Sequence, residues 1–486
     1  MIKKIFFFFV TLPLLLLHSL VAQELPPKDT VLKQMHQANK YFMDKWPDPG
    51  QDIITDKVRP SNIWTRATYY EGMMRFYYID RDTALYEYAV EWGESHSWEP
   101  AYGFIYTRNA DNQCCGQTYI ELYLLDNQPE RIQPIKACID NMVNSVKSDD
   151  WWWVDAIQMA MPVFAKLGTL YNDTSYFRKM FELYNNTRII QGDSGLYNKT
   201  DHLWWRDSTF VPPYETPEGK DCYWSRGNGW VFAALARVLD VLPENAWHRE
   251  TYVNDFANMA AALLPLQRED GFWNPSLVDP EDYGGKETSG TAFFTFGLAW
   301  GINHHFLDEE TYKPAVVRAW NGMINDALHP DGFLGYVQGT GKQPSDGQPL
   351  SYNKAPNFED FGLGAFLLAG SEVYHLAPDT ASGTETFTSS LQTSDNQYLN
   401  IYPNPAKDEF TIDYYLSEKA DVLIKLIDTE GKTVKTLKNM PDQPEGRHAI
   451  LINLSEATGG FISPGIYYIR LIAGQTILTG RLAVAF

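Results

Sequence analysis

Between Asp29 and His375 the apolar spacing and the boundary signals predict about twelve helices. They fall at approximately 29–46, 64–80, 82–97, 114–126, 129–148, 153–170, 174–188, 228–242, 245–268, 287–306, 309–327 and 360–375. They alternate in kind. The odd-numbered patterns carry charged faces, as in DTALYEYAVEWGES, whereas the even-numbered ones are poor in charge and rich in small residues, as in SGTAFFTFGLAWG. A helix that is apolar nearly all round belongs inside, and one with a charged face belongs outside. Twelve helices alternating outer and inner make six hairpins, and six hairpins closed on themselves make an all-α (α/α)6 toroid. A repeat supports this: Gly195-Leu196-Tyr197-Asn198, Gly271-Phe272-Trp273-Asn274 and Gly332-Phe333-Leu334-Gly335 each follow an outer helix and lead through a long loop into an inner one.

The ends of the chain differ from this middle. Lys3 and Lys4, the apolar run from Ile5 to Leu17 and the small Ala22 predict a cleaved signal peptide over 1–22, too short for a membrane span. The helical domain then occupies 23–376, and the Ser/Thr/Asp-rich stretch 377–395 predicts a linker. From 396 to 486 the periodicity becomes strand-like, in FTIDYYL, DVLIKLID, HAILINL, GIYYIRLI and ILTGRLAV, which predicts a small all-β sandwich.

Charge and cysteine usage exclude several functions. With 40 Lys+Arg against 61 Asp+Glu the formal charge is −21, which disfavours nucleic acid and anionic lipid as partners. Cys114, Cys115, Cys138 and Cys222 match no zinc spacing, and the 10 His form no HExxH. We expect no catalytic metal and no cofactor.

The segments opening the inner helices are rich in acids and aromatics: Asn62 to Arg66, Asp111 to Gln113, Asp149 to Asp155, Tyr223 to Trp230, Lys286 to Ser289 and Asn357 to Asp360. In a toroid these six loops converge on one concave mouth, the expected site. Carboxylates with aromatic platforms point to sugar chemistry. Asp155, one turn into an apolar helix behind Trp151, Trp152 and Trp153, is the main candidate: desolvation there would raise its pKa and keep a proton available. Asp111 would be its neighbour across the ring, a second acid in an unlike setting. Arg226 offers a bidentate grip on a substrate carboxylate, and Trp224, Trp230, Trp153 and Trp64 offer faces for a sugar ring.

These residues resemble glycoside hydrolase family 105, the unsaturated uronyl hydrolases, related to family 88. The resemblance rests on Trp152-Trp153-Val154-Asp155, on Asp111, and on Trp224-Ser225-Arg226-Gly227-Asn228-Gly229-Trp230, and spans roughly 40–376. It implies removal of a 4,5-unsaturated uronic acid from the non-reducing end of lyase-generated oligosaccharides such as those of rhamnogalacturonan or ulvan. Asp155 would be the general acid/base and Asp111 its assisting carboxylate. The family commonly has a substrate-reaching His after a Gly-Leu-Tyr stretch; here His202 stands five residues past Tyr197. The last 90 or so residues resemble the C-terminal sorting domain of the type IX secretion system of Bacteroidetes, through Tyr402-Pro403-Asn404-Pro405-Ala406, Asp428-x-x-Gly431 and Gly465-Ile466-Tyr467-Tyr468-Ile469-Arg470-Leu471. That implies the type IX machinery as a partner and a secreted or cell-surface location in a Gram-negative bacterium. The competing readings are an inverting glycosidase on saturated glycan and a non-catalytic glycan-binding protein.

Overall fold

A computed structural model describes residues 24–379 and, with short interruptions, 399–484. The expected signal peptide and all but the first three residues of the expected linker lie outside the described residues, as do Pro403 to Pro405 and Asp428 to Gly431. The chain divides into two compact units, 1–382 and 383–486.

Among its described residues the first unit contains twelve long helices: α1 (Lys28–Lys45), α2 (Trp64–Asp80), α3 (Thr83–Ser95), α4 (Gly116–Leu125), α5 (Gln133–Val143), α6 (Asp155–Tyr171), α7 (Thr174–Ile189), α8 (Ser225–Leu239), α9 (Arg249–Leu263), α10 (Thr288–Asn303), α11 (Glu309–Gly322) and α12 (Asp360–Leu376). The even-numbered ones are buried nearly all round; every side chain of α8 is inside, and so is α10 from Thr288 to Ile302. Each packs on the next: α2 on α4, α4 on α6, α6 on α8, α8 on α10, α10 on α12, and α12 back on α2. The odd-numbered helices bury one stripe, as α3 does with Leu85, Tyr88, Ala89, Trp92 and Gly93.

Local signals set the boundaries. The Asp82 carboxylate caps α3 by accepting from the Ala84 N–H at 2.9 Å, Asp173 does the same for α7 through Ser175 at 2.9 Å, and Asp308 caps α11 through Thr311 at 2.8 Å. Several expected boundaries were displaced. The helix expected at 114–126 begins at Gly116, after a separate single turn, Ala110–Gln113, and the one expected at 129–148 is confined to Gln133–Val143. The one expected at 245–268 ends at Leu263, where Pro265 leaves only a 3-10 turn, Leu264–Leu266. The glycine repeat has a steric basis. Gly271 and Gly332 adopt φ of 89° and 96°, and a Cβ there would lie 2.1 Å from the Arg318 carbonyl oxygen and 2.2 Å from that of Gln37. Each thus presses against the next outer helix, whereas Gly195 presses against its own α7 at Arg188.

The second unit has seven strands: β1 (Leu399–Tyr402), β2 (Glu409–Leu416), β3 (Ala420–Ile427), β4 (Thr433–Gln443), β5 (Gly446–Asn453), β6 (Gly465–Ala473) and β7 (Thr476–Val484). They form a three-stranded sheet, β1-β2-β5, and a four-stranded sheet, β4-β3-β6-β7, with every named pair antiparallel. Alternate residues (Phe410, Ile412 and Tyr414 of β2; Val422, Ile424 and Leu426 of β3) fill one shared core. Periodicity missed β4 because it is an edge strand, mostly exposed and interrupted by Pro441.

Candidate active site

The Trp-rich run before α6 is not free to wander. The Val154 N–H donates to the Arg206 carbonyl at 2.9 Å, and Trp153 pairs with Asp207 in a single antiparallel bridge. The loop between α7 and α8 is therefore laid across the start of α6, and it delivers the Arg206 guanidinium to Asp155. Nε and Nη2 face the two carboxylate oxygens at 3.3 and 3.4 Å, while Nη1 donates to Asp207 at 2.8 Å. The Asp207 carboxyl is buried, but bonds from Thr209 and Arg206 outweigh that burial and hold it below the ordinary carboxylate range. The exposed indole of Trp152 lies beside the same guanidinium, 5.9 Å from its carbon, and against Trp153 at 4.6 Å between ring centroids.

Asp111 sits in the single turn before α4, fixed where the Asn109 side chain accepts its N–H at 2.9 Å. Burial pushes its carboxyl up to about 7; the charge of Asp155 pushes the same way, and Arg206 offsets part of the rise. The carboxyl driven toward neutrality is that of Asp111, while Asp155, itself buried, is the one that faces the Arg206 guanidinium.

Other expected residues occupy different places. Arg226 is wholly enclosed, donating to the Gln338 carbonyl at 2.8 Å, the Gly339 carbonyl at 2.6 Å and Ser289 Oγ at 3.3 Å. Burial brings its guanidinium down to about 10, even with Glu287 nearby. The bidentate grip on substrate expected of it is not offered, because the side chain is enclosed and its two Nη groups are engaged by the loop before α12 and by Ser289. Trp224 is buried, with its N–H on Gln338 Oε1 at 2.8 Å, and Trp230 is buried against Phe293 at 4.4 Å. Neither presents an open face, so both form the wall. Trp64 is half-buried, stacked on Phe361 at 5.5 Å and edge-on to Trp230 at 6.0 Å. Trp153 is buried, and the open ring of that run belongs to Trp152. His202 is half-buried, its Nδ1 2.9 Å from the Tyr197 hydroxyl.

The structure thus gathers Asp111, Asp155, Arg206, Asp207 and Trp152 on one side of the mouth. Trp64, Trp224, Arg226 and Trp230 lie in the adjoining wall, close enough for Arg226 to feel the charge of Asp155. Arg206 escaped the sequence reading because it lies mid-loop rather than at the head of an inner helix. The available signal was its place in Trp204-Trp205-Arg206-Asp207, a strand-like run in a long loop. Beneath the site Gln158, one turn after Asp155, donates at 2.7 Å to Glu71, whose carboxyl burial raises to about 7 although Arg237 draws it down.

Residues 34–377 match Glycosyl Hydrolase Family 88, and residues 400–485 match the secretion system C-terminal sorting domain. An unsaturated 3S-rhamnoglycuronyl hydrolase of Formosa agariphila is 36% identical over 333 residues, covering 64% of this chain and 84% of that protein. The structure of a glycosyl hydrolase family 88 protein from Bacteroides vulgatus is similar at 32% identity and a TM-score of 0.66, covering 72% of this chain and 99% of that one. A protein named as a polysaccharide lyase is similar at 33% identity and a TM-score of 0.65, covering 72% and 98%. With more than two thirds of its length in the match over 34–377, the chain belongs to glycosyl hydrolase family 88.

Proposed function

We propose that this protein is an unsaturated uronyl hydrolase of the family 105 type, acting on lyase-generated oligosaccharides such as those of rhamnogalacturonan or ulvan. The observation that carries the reading is a pair of carboxyls in unlike settings: Asp111, raised by burial, and Asp155, which faces the Arg206 guanidinium. The closed succession of six buried helices supports reading the first unit as an (α/α)6 toroid over 23–376. The two sheets sharing one core support a sandwich over 396–486. We read that sandwich as a type IX sorting domain, with the type IX machinery as partner and a secreted or surface location.

The substrate is an enol ether, so the reaction begins with a proton. Asp155 acts as general acid: the C4=C5 π pair takes its proton to form the C4–H bond, leaving an oxocarbenium-like centre at C5. Asp111 and Asp207 stabilise that positive charge. Water adds at C5 and returns a proton to Asp155 as base. The hemiketal opens at the ring oxygen, and the hemiacetal left at the anomeric carbon expels the aglycone. Trp152 and Trp64 flank the sugar ring. His202, held by Tyr197, lies at the rim of the same loop as Arg206. Arg226, Trp224 and Trp230 shape the wall.

The test follows the ultraviolet absorbance of the conjugated enol ether in lyase digests of rhamnogalacturonan and of ulvan. Decay with the wild type and none with Asp155→Asn is the expected result, and the faster digest identifies the glycan. New absorbance from untreated polymer would instead make the protein a lyase. Reducing ends from untreated polymer without any absorbance change would make it an inverting glycosidase.

A further inference from the structure

Two observations are in tension. The general acid of the proposed reaction must carry a proton when substrate is bound, yet Asp155 faces a guanidinium in the free enzyme. Arg206 is also the guanidinium beside the exposed ring of Trp152, where an anionic sugar would lie, whereas that of Arg226 is enclosed and committed to backbone carbonyls. Its grip on Asp155 is long on both arms, 3.3 and 3.4 Å, against 2.8 Å to Asp207. The Asp155 contact is therefore the weaker of the two.

We infer that Arg206 is a substrate-operated positioning residue: the uronate carboxylate draws its guanidinium off Asp155 and leaves that carboxyl free to act as the acid. The inference rests on the proposed function and deepens it. Asp207 keeps Nη1 throughout, so the guanidinium pivots rather than leaves. The groups that face the pair are few. Asp111 feels Asp155 and Arg206; Asp155 faces Arg206 and Asp111, with Arg226 within electrostatic reach from α8. Glu71 and Gln158 lie one turn below. A substrate without the charge cannot draw the guanidinium away, so the enzyme discriminates against a neutral ester.

The experiment compares the unsaturated uronate with its methyl ester, on wild type, Arg206→Gln and Arg206→Lys, across pH, by loss of enol-ether absorbance. The wild type should prefer the acid to the ester by on the order of tenfold to a hundredfold in kcat/KM, the worth of a charge-assisted contact. In Arg206→Gln that ratio should fall to about one. Its alkaline limb should also move to higher pH, because removing a cation lets both carboxyls keep a proton longer. Arg206→Lys should restore part of the ratio. A merely structural Arg206 would lower activity on both substrates equally and leave the limb in place, which would overturn the inference. If Arg206→Gln fails to fold, the wild-type ratio alone decides, and a value near one overturns it. Wild type that consumes neither substrate would refute the proposed function itself, a different failure.

Discussion

Replacing Asp111 by Asn should make the protein more stable above neutral pH while it removes activity. The reasoning starts from the rise of the Asp111 carboxyl from 3.8 to about 7 in the folded state. A carboxyl whose folded pKa is raised opposes folding: the penalty is absent below the unfolded value, grows as pH rises, and is complete once pH exceeds the folded value. The full rise corresponds to about 4 kcal/mol, of which roughly 1.6 is already present at pH 5. Solvent reaches this partly exposed carboxyl, so the change in penalty between pH 5 and pH 8 is expected at about 1–2 kcal/mol. Asn keeps the shape and carries no charge. The stability advantage of Asp111→Asn over wild type should therefore widen by that amount from pH 5 to pH 8. Urea denaturation of both proteins at the two pH values, followed by tryptophan fluorescence, measures it. An advantage that stays constant, or narrows, would refute the claim that burial holds a proton on Asp111.

Asp360→Ala should cost about 3 kcal/mol in denaturant unfolding, because Arg66 is wholly enclosed and would lose its 2.9 Å partner where α12 closes on α2; the double variant Arg66→Met with Asp360→Leu should recover most of it. Trp152→Ala should leave the melting temperature nearly unchanged, since the ring is half exposed, and raise KM about three- to tenfold in the absorbance assay. Arg226→Lys should lower stability by about 2 kcal/mol and speed proteolysis within 337–350, because the shorter lysine lacks the planar fork whose two Nη groups reach the Gln338 and Gly339 carbonyls.

The helical architecture was legible because each inner helix must be apolar all round to sit in the middle. That requirement wrote the alternation into the sequence from residue 29 to 375, and α2 was placed to the residue. Asp111 and Asp155 were legible for the same reason, since a carboxyl at the head of a buried helix is conspicuous. What the sequence hid is what the loops do. Trp224, Trp230 and Arg226 look like open binding groups in the chain, but Gln338 and Gly339 of the loop before α12 take up the Trp224 N–H and the Arg226 guanidinium, and Trp230 is packed against Phe293. Arg206 looks like an ordinary loop residue, and only the backbone bond from Val154 to its carbonyl brings it to Asp155. The guanidinium that faces Asp155 is thus a long-range placement, 51 residues away in sequence.

The central claim is that Asp155 protonates C4 and water adds at C5. The most direct measurement runs the wild-type reaction on the unsaturated disaccharide in D2O and reads the product at early times by NMR. A single deuterium on one face of C4, appearing at the rate the absorbance falls and absent with Asp155→Asn, is the expected result. Release of the aglycone ahead of the absorbance loss, with deuterium divided between both faces of C4, would contradict it.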